Sequence, residues 1–392
     1  MCCINQLLLG TLLLLLCMSP VLLASSVDSK TQRDLPGSIG SKRGLLNVSI
    51  DPRQELLTTI QYLSGSEMVI KDENAYTVAI ESWFSAHREH PAIQMLSALE
   101  SAGYCHDLPV TDFLRFGNIS LENREYSWGP TSEDMNNERM DCVAQEVSLD
   151  EFYTLVRDFS NVSDFAGFFR SQEVFYRQYI SRIIGYLEAY PDLIAHMTDW
   201  YGYCHSSYSL VISPLVNGGY GPALTDSAGN IHAYCIARMN RDYSGDEQMM
   251  QLSSWLFHEF SHSFVNPLVE KHYEIFRSGE PLYEAIGDKM RTMAYSSWWI
   301  AVAEHLVRVN DARLNELFYP SESRVWSPDI EKNRGFIFID YAHEAILQYE
   351  QSKAEQGTTY AEYFPILARS FMAINELSKE EMERLTRFLT TE

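Results

Sequence analysis

The chain has 392 residues and a formal net charge of −23 at pH 7, because 53 acidic residues outnumber 30 lysines and arginines. Proteins bind nucleic acids and anionic membranes through basic patches, so this balance argues against both as partners. The length exceeds what one small core requires. It predicts a single large domain with a cleft, or two closely packed lobes divided near residues 200–245.

The N-terminal segment has the composition of a signal peptide. Residues 7–24 are almost wholly apolar, and residues 24–26 (Ala-Ser-Ser) are small, as signal peptidase requires. The basic residues that usually precede such a run are missing, so an uncleaved signal anchor is the alternative. Pro20 and the short apolar length favour cleavage. We therefore predict a signal peptide at residues 1–24 and a secreted, extracellular protein with no stable membrane association after cleavage.

Residues 25–48 are polar and contain three glycines, which predicts a flexible leader or a short pro-segment. Within them, residues 41–44 (SKRG) resemble a dibasic processing site, an alternative to an ordinary surface loop. The folded domain is accordingly predicted at residues 49–392.

Helical patterns dominate the chain from Asp51 onwards. Asp51 has the character of an N-cap, Pro52 suits the first turn, and an apolar stripe follows from Leu56 to Leu63. A polar stretch at 117–147 predicts a long loop. Further segments with helical periodicity lie at 76–87, 91–102, 149–160, 165–190 and everywhere after 246.

Residues 203–238 differ from the rest of the chain. Two short runs rich in β-branched and aromatic residues, at 209–212 and 231–236, are flanked by glycine-rich turn clusters. They predict a small antiparallel sheet directly before the next helix. The fold class is therefore α+β, mostly α.

Four cysteines remain after signal cleavage, and an even number in an exported chain favours two disulfides. Proximity in sequence favours the pairs Cys105–Cys142 and Cys204–Cys235. None shows the short C-x-x-C spacing of a zinc ribbon. Three sequons for N-glycosylation also fit export and lie at Asn47, Asn118 and Asn161.

Residues 258–262 read HEFSH and carry the strongest chemical signal. Side chains at i and i+4 lie on one helical face, so His258 and His262 can bind one Zn²⁺. Glu259 between them can act as the general base of a metalloprotease. Apolar residues at helical spacing lead into the motif, and Pro267 predicts that the helix ends near residue 266. A structural helix that happens to carry two histidines is the alternative.

A catalytic zinc needs a third protein ligand and an open position. Downstream candidates are His272, Glu284, Glu304 and His305. Glu304 is favoured, because an unpaired carboxylate inside an apolar helix would be costly.

Hydrolysis of an amide also calls for a donor that stabilises negative charge on the carbonyl oxygen. Arg308 is the predicted donor, and an ion-pair partner for a ligand carboxylate is its alternative role. Three other side chains near the motif or the third-ligand candidates remain open as donors: Tyr283, Tyr295 and His305.

Three segments resemble a family of secreted, zincin-like metallopeptidases that is catalogued as a domain of unknown function. They are residues 51–57 (DPRQELL), 258–268 (HEFSHSFVNPL) and 304–308 (EHLVR). The resemblance implies a zincin-like catalytic domain with one zinc held by His258, His262 and Glu304, and with Glu259 as the base.

The expected function is zinc-dependent hydrolysis of peptide bonds in a peptide or protein substrate. The alternatives are a zinc hydrolase of other amides and a non-catalytic binding protein that keeps a zincin fold. Glu259 favours an enzyme, because a binding protein needs no base. A purely structural zinc site is less favoured, because no cysteine lies near the motif to close the coordination shell.

Overall fold

The structure is a computed structural model that describes residues 39–116, 148–239, 245–319 and 326–390. It is 68% helical with one small mixed sheet, so the predicted α+β, mostly α class is confirmed. The described residues all belong to one compact unit. The predicted signal peptide lies outside the described residues. Among the described helices, none combines the length and the apolar character that crossing a bilayer requires.

The described α-helices are numbered here in chain order. They are α1 (Pro52–Ser64), α2 (Ala75–Phe84), α3 (Pro91–Ser101), α4 (Asp107–Arg115), α5 (Leu149–Val162), α6 (Phe165–Ser171), α7 (Glu173–Glu188), α8 (Leu193–Tyr201), α9 (Gly245–Lys271), α10 (Tyr273–Phe276), α11 (Tyr283–Arg291), α12 (Trp298–Phe318), α13 (Pro328–Asn333), α14 (Ile339–Gln356), α15 (Tyr360–Phe371) and α16 (Lys379–Thr386).

Helix α1 begins where the sequence predicts it. The Asp51 side chain accepts a hydrogen bond from the Arg53 backbone N–H, and Pro52 occupies the first turn. Arg53 and Asp51 also form a buried ion pair at 2.6 Å. The same guanidinium donates to the carbonyl oxygens of Leu114, in the last turn of α4, and of Phe116, directly after it. The polar residues of this segment therefore fix α1 against the C-terminal end of α4.

One mixed sheet lies beside α9. Its strands are β1 (Ile39–Arg43), β2 (Leu46–Ile50), β3 (Ser207–Ile212), β4 (Gly219–Tyr220), β5 (Ala223–Thr225) and β6 (Ile231–Ala237). The order is β1-β2-β3-β6-β4, and β5 also pairs with β6. The pairs β2–β3 and β3–β6 are parallel, whereas β1, β4 and β5 are antiparallel to their partners.

The sheet corrects two predictions. It is mixed and not antiparallel: the two predicted runs, β3 and β6, pair in parallel because residues 213–230 return the chain to the end where β3 began, and β2 adds a second parallel pair on the other side of β3. Every residue of β3 is buried, as is typical of a parallel strand covered on both faces. The predicted leader at 25–48 is also wrong in part. Residues 39–43 and 46–48 are strand, and β2 buries Leu46 and Val48 in the core.

Helix α9 continues past the predicted end at residue 266 and reaches Lys271. Pro267 lacks a backbone N–H and so removes one helical hydrogen bond. Val269 beyond it is fully buried and Leu268 nearly so, which explains why the helix continues through the proline. Helix α9 packs antiparallel on α12, since Ser253 donates to Asn315 (2.8 Å) near its start and His262 faces Glu304 further along.

The predicted Cys204–Cys235 disulfide is wrong. Both cysteines are free, Cys204 is exposed, and Cys235 is buried in β6. Strands β3 and β6 are parallel, and Ser207 pairs with His232. Cys204 lies three residues before Ser207, whereas Cys235 lies three residues after His232, so the two cysteines are displaced from each other along the strand direction. A disulfide needs Cα atoms within about 7 Å of each other. Cys105 is free in the described part of the chain, while Cys142 lies outside it, so that pairing stays a prediction.

This difference in exposure predicts the reactivity of the two thiols. We expect iodoacetamide to alkylate Cys204 in the native protein and Cys235 only after unfolding, because burial keeps Cys235 protonated and raises its pKa. Peptide mass mapping without reductant measures both. A disulfide-linked peptide containing Cys204 and Cys235 would contradict the structure.

The sequons differ in their surroundings. Asn161 is exposed near the end of α5, while Asn47 is half-buried in β2 with a strand on each side. Asn118 lies outside the described residues. Glycosylation of Asn161 therefore fits the surface best, and modification at all three positions stays a prediction.

Glu55 provides a pH-dependent contribution to stability. It is fully buried in α1, where Tyr76 donates to its carboxylate and the Tyr76 hydroxyl lies 2.6 Å from that of Tyr176. Burial raises the pKa of Glu55 to about 7. Because the folded-state pKa exceeds the unfolded value, this contribution is fully present below pH 4.5 and is lost as the pH rises to about 7.

Glu55→Gln keeps an acceptor for Tyr76 but cannot ionise. Between pH 5 and pH 8 we expect the free energy of unfolding to shift in favour of the variant by about 2–3 kcal/mol. Urea unfolding of both proteins at the two pH values measures this shift. A difference between parent and variant that does not change with pH would contradict the burial argument.

Candidate metal centre

Two adjacent helices bring three metal-ligating side chains together. Helix α9 contributes His258 and His262, and the antiparallel α12 contributes Glu304. The Nε2 of His262 lies 3.3 Å from Glu304 Oε1, and the Nε2 of His258 lies 3.8 Å from Glu304 Oε2. All three ligand atoms lie within 4.8 Å of one another. No other group of three such side chains meets this condition among the described residues.

These separations fit a tetrahedral zinc ion. Ligand atoms about 2.0–2.1 Å from such an ion lie about 3.3 Å from each other. The donor set of two imidazoles and one carboxylate is also one that zinc favours. Glu304 Oε2 is buried and makes no hydrogen bond, and the nearest cationic atom is Arg308 Nε at 3.3 Å, so Oε1, which faces His262, is the oxygen that remains for a metal. The residues therefore fit one metal ion per chain.

The charges of the three side chains are coupled. Burial lowers the pKa of His258 to about 3. Burial opposes the charge of His262 as well, but its contact with Glu304 outweighs this and raises the pKa of His262 to about 9. The same contact lowers the pKa of Glu304. Without a metal, the negative charge of Glu304 thus favours the protonated, cationic form of His262. The positive charge then lies between these two side chains, where a metal ion would otherwise bind.

Polar contacts orient α9 around the site. The Nδ1 of His262 lies 3.3 Å from Asn266 Oδ1, so its N–H can donate there and leave Nε2 toward Glu304. Inside the motif, Ser261 accepts from Tyr201 at 2.7 Å. Ser263 lies 2.9 Å from the Nε2 of His205. The serines that interrupt the apolar face of this helix therefore anchor it to α8 and to the segment before β3.

Glu259 lies in the same helix and is buried, which raises its pKa to about 8. Strand β4 passes directly over it. A Cβ on Gly219 would lie 2.5 Å from Glu259 Oε1, and a Cβ on Gly221 would lie 2.3 Å from the Glu259 carbonyl oxygen. Both positions therefore require glycine. The last strand in the sheet order thus lies against the predicted general base.

The other third-ligand candidates lie elsewhere. Glu284 is exposed in α11. His272 packs on Phe364, with ring centroids 5.8 Å apart. His305 is fully buried, and its Nδ1 donates to Ala301 O at 2.6 Å. Only Glu304 among the four candidates joins the two motif histidines.

Arg308, the predicted charge-stabilising donor, forms an ion pair with the carboxylate of Glu304. Its Nε lies 3.3 Å from Glu304 Oε2, and its Nη1 donates to Glu331 Oε2 at 3.1 Å. Its Nη2 donates to the Tyr295 hydroxyl at 3.3 Å. The guanidinium carbon lies 4.0 Å from the centre of the Phe336 ring. These contacts agree with the alternative prediction for Arg308, an ion-pair partner for a ligand carboxylate.

Sequence reasoning missed Glu331 and Asn266. Glu331 lies in a short charged helix with no apolar periodicity, so nothing in the sequence indicates that it is buried. Asn266 could have been found, since it lies four residues after His262 and so on the same helical face.

Among known protein families, one matches most of the chain. The family described as Domain of unknown function (DUF4932) matches residues 46–369. The chain belongs to this family. The match begins in β2 and ends in α15, so it includes the three candidate ligands and Glu259. No curated protein and no solved structure matches the chain. The DUF4932 description states no activity, so the chemistry of this site is inferred from its residues.

Proposed function

We propose that the chain is a zinc-dependent hydrolase of peptide bonds with a zincin-like catalytic domain. The observation that carries the proposal is the group of His258, His262 and Glu304, with Glu259 buried in the same helix. A general base between two metal ligands at this spacing is the arrangement of H-E-x-x-H metalloproteases. Glu259 also separates an enzyme from a non-catalytic binding protein, which would not need it.

Each side chain then has a defined part. A zinc ion held by the three ligands supplies an acidified water molecule and positive charge near the substrate carbonyl. Glu259 accepts the proton of the attacking water and later donates it to the leaving amine. Its burial holds its pKa near the working range of such a base.

Tyr295 is the best candidate to donate to the developing oxyanion. Its hydroxyl accepts from Arg308 Nη2, which leaves its own O–H available as a donor. Arg308 itself is engaged with Glu304 and Glu331. We therefore propose that Tyr295 donates directly to the substrate oxyanion. Arg308, behind Tyr295, would stabilise the same negative charge without touching the substrate.

Strand β4 offers a way to bind an extended peptide. It lies at the end of the sheet order, and Gly219 within it and Gly221 directly after it bring the backbone against Glu259. A substrate strand could pair with such an edge through main-chain hydrogen bonds. We propose that this pairing holds the scissile bond over the general base.

We also propose that the protein works outside the cell, because the apolar N-terminal segment has signal-peptide composition. Its substrate would then be an extracellular peptide or protein.

Removal of the metal tests the proposal. We expect 1,10-phenanthroline to abolish peptide hydrolysis by the purified protein, and stoichiometric zinc to restore it after dialysis. Fluorogenic peptides with varied central residues provide the readout. Circular dichroism of the metal-free protein serves as the control for folding. Hydrolysis that persists without metal would exclude the zinc mechanism.

A further inference from the structure

A second layer of charge surrounds the ligand carboxylate. Arg308 lies one turn after Glu304 on α12, and its guanidinium reaches Glu304 on one side and Glu331 on the other. Glu331 belongs to α13, a different element, and only 8% of its side chain is exposed. Arg334 contacts the other Glu331 oxygen at 2.8 Å from a largely exposed position. Glu331 is thus a buried carboxylate that links α13 to the metal-ligand helix.

The orientation of Arg308 depends on this contact. Phe336 lies against the face of the guanidinium group, and the Tyr295 hydroxyl accepts a hydrogen bond from Nη2. Glu331 is nevertheless the only carboxylate besides Glu304 with which Arg308 forms an ion pair among the described residues. Without it, the guanidinium would keep one carboxylate partner, the metal ligand itself.

We propose that Glu331 is a positioning residue that sets the metal affinity of the site by holding Arg308. This inference rests on the proposed zinc site. Glu331 neutralises part of the Arg308 charge and turns the guanidinium so that only Nε faces Glu304. Glu304 thereby keeps an oxygen available for a cation.

The sign of the effect follows from charge. Arg308 and a bound divalent cation are both positive and both interact with Glu304. Removing the negative charge of Glu331 strengthens the Arg308–Glu304 ion pair and increases repulsion of the metal. It also removes the contact that fixes the orientation of the guanidinium. Both changes weaken metal binding, and outer-layer partners of metal ligands typically contribute about 10- to 100-fold in affinity.

The test compares zinc dissociation constants, measured by competition with a chromophoric chelator on the full protein. We expect Glu331→Gln to weaken zinc binding by about 10- to 100-fold. Glu331→Asp keeps the charge and is expected to recover most of the affinity. The matched control is Glu350→Gln. It breaks the ion pair between Glu350, in α14, and Arg313, which lies on α12 five residues beyond Arg308. That control should leave the zinc dissociation constant unchanged.

The outcomes separate this inference from the proposed function. An unchanged zinc affinity in Glu331→Gln overturns the inference even if the parent cleaves peptides. Equal losses in Glu331→Gln, Glu331→Asp and Glu350→Gln also overturn it, because they would indicate a general packing effect. If the parent binds zinc and Glu331→Gln weakens binding, but no peptide is cut, the proposed function fails and the inference stands. A parent that binds no zinc overturns both.

Discussion

Glu259→Gln is expected to lower kcat/KM for peptide hydrolysis by about 10²- to 10⁴-fold while the protein keeps its zinc. Glutamine has nearly the same shape as glutamate, so the packing of Gly219 and Gly221 against residue 259 should persist. It cannot accept a proton from water. The loss should therefore appear in the chemical step, in kcat, and not in folding or metal content.

The control for this variant lies on the same helix. Glu270→Gln makes an identical change at an exposed position of α9 and should keep full activity. Zinc content by mass spectrometry and near-UV circular dichroism compare the parent with both variants. Full activity in Glu259→Gln at equal zinc content would remove Glu259 from the mechanism.

His262→Ala and Glu304→Ala are expected to remove high-affinity zinc binding, with larger losses than the 10- to 100-fold typical of outer-layer contacts. Each variant deletes one of three ligand atoms that lie within 4.8 Å of each other. Two protein ligands hold zinc far less tightly than the three that catalytic sites use. Zinc affinity from chelator competition and metal content after gel filtration measure the effect.

The rejected ligand candidates are the controls for those variants. His272→Ala changes a histidine that packs on Phe364, and Glu284→Gln changes an exposed carboxylate. Both variants should bind zinc as the parent does. Loss of zinc in Glu284→Gln, with zinc retained in Glu304→Ala, would move the third ligand to α11.

The candidate ligand group was largely predictable because its signals are local or energetic. The spacing of His258 and His262 fixes them on one helical face. Glu304 follows from the cost of an unpaired carboxylate in an apolar helix, and the structure brings it to both histidines. The ion pair of Arg308 with Glu331 behind the metal site was not predictable. Glu331 reaches Arg308 only through the fold, and its own segment has no pattern that indicates burial.

The sheet was predicted only in part, for a different reason. The β-prone runs at 209–212 and 231–236 were recognised, but not that the connection between them crosses back and makes them parallel, and the further partner of β3 lies far away in sequence. Residues Leu46 to Ser49 pair with Tyr208 to Val211, about 160 positions later, and no local rule connects them. A five-residue strand after a polar segment resembles a loop until its partner is known. The same limit explains the wrong disulfide, since Cys204 and Cys235 are close in sequence but separated by the register of β3 and β6.

The most direct measurement of the central proposal is cleavage of a mixed peptide library by the zinc-loaded protein, beside Glu259→Gln with equal zinc content. Mass spectrometry of the products identifies every bond cut. We predict that the parent cuts peptide bonds, that Glu259→Gln does not, and that the cut sites define the preferred side chains. If neither protein cuts any peptide, the zinc peptidase proposal is contradicted.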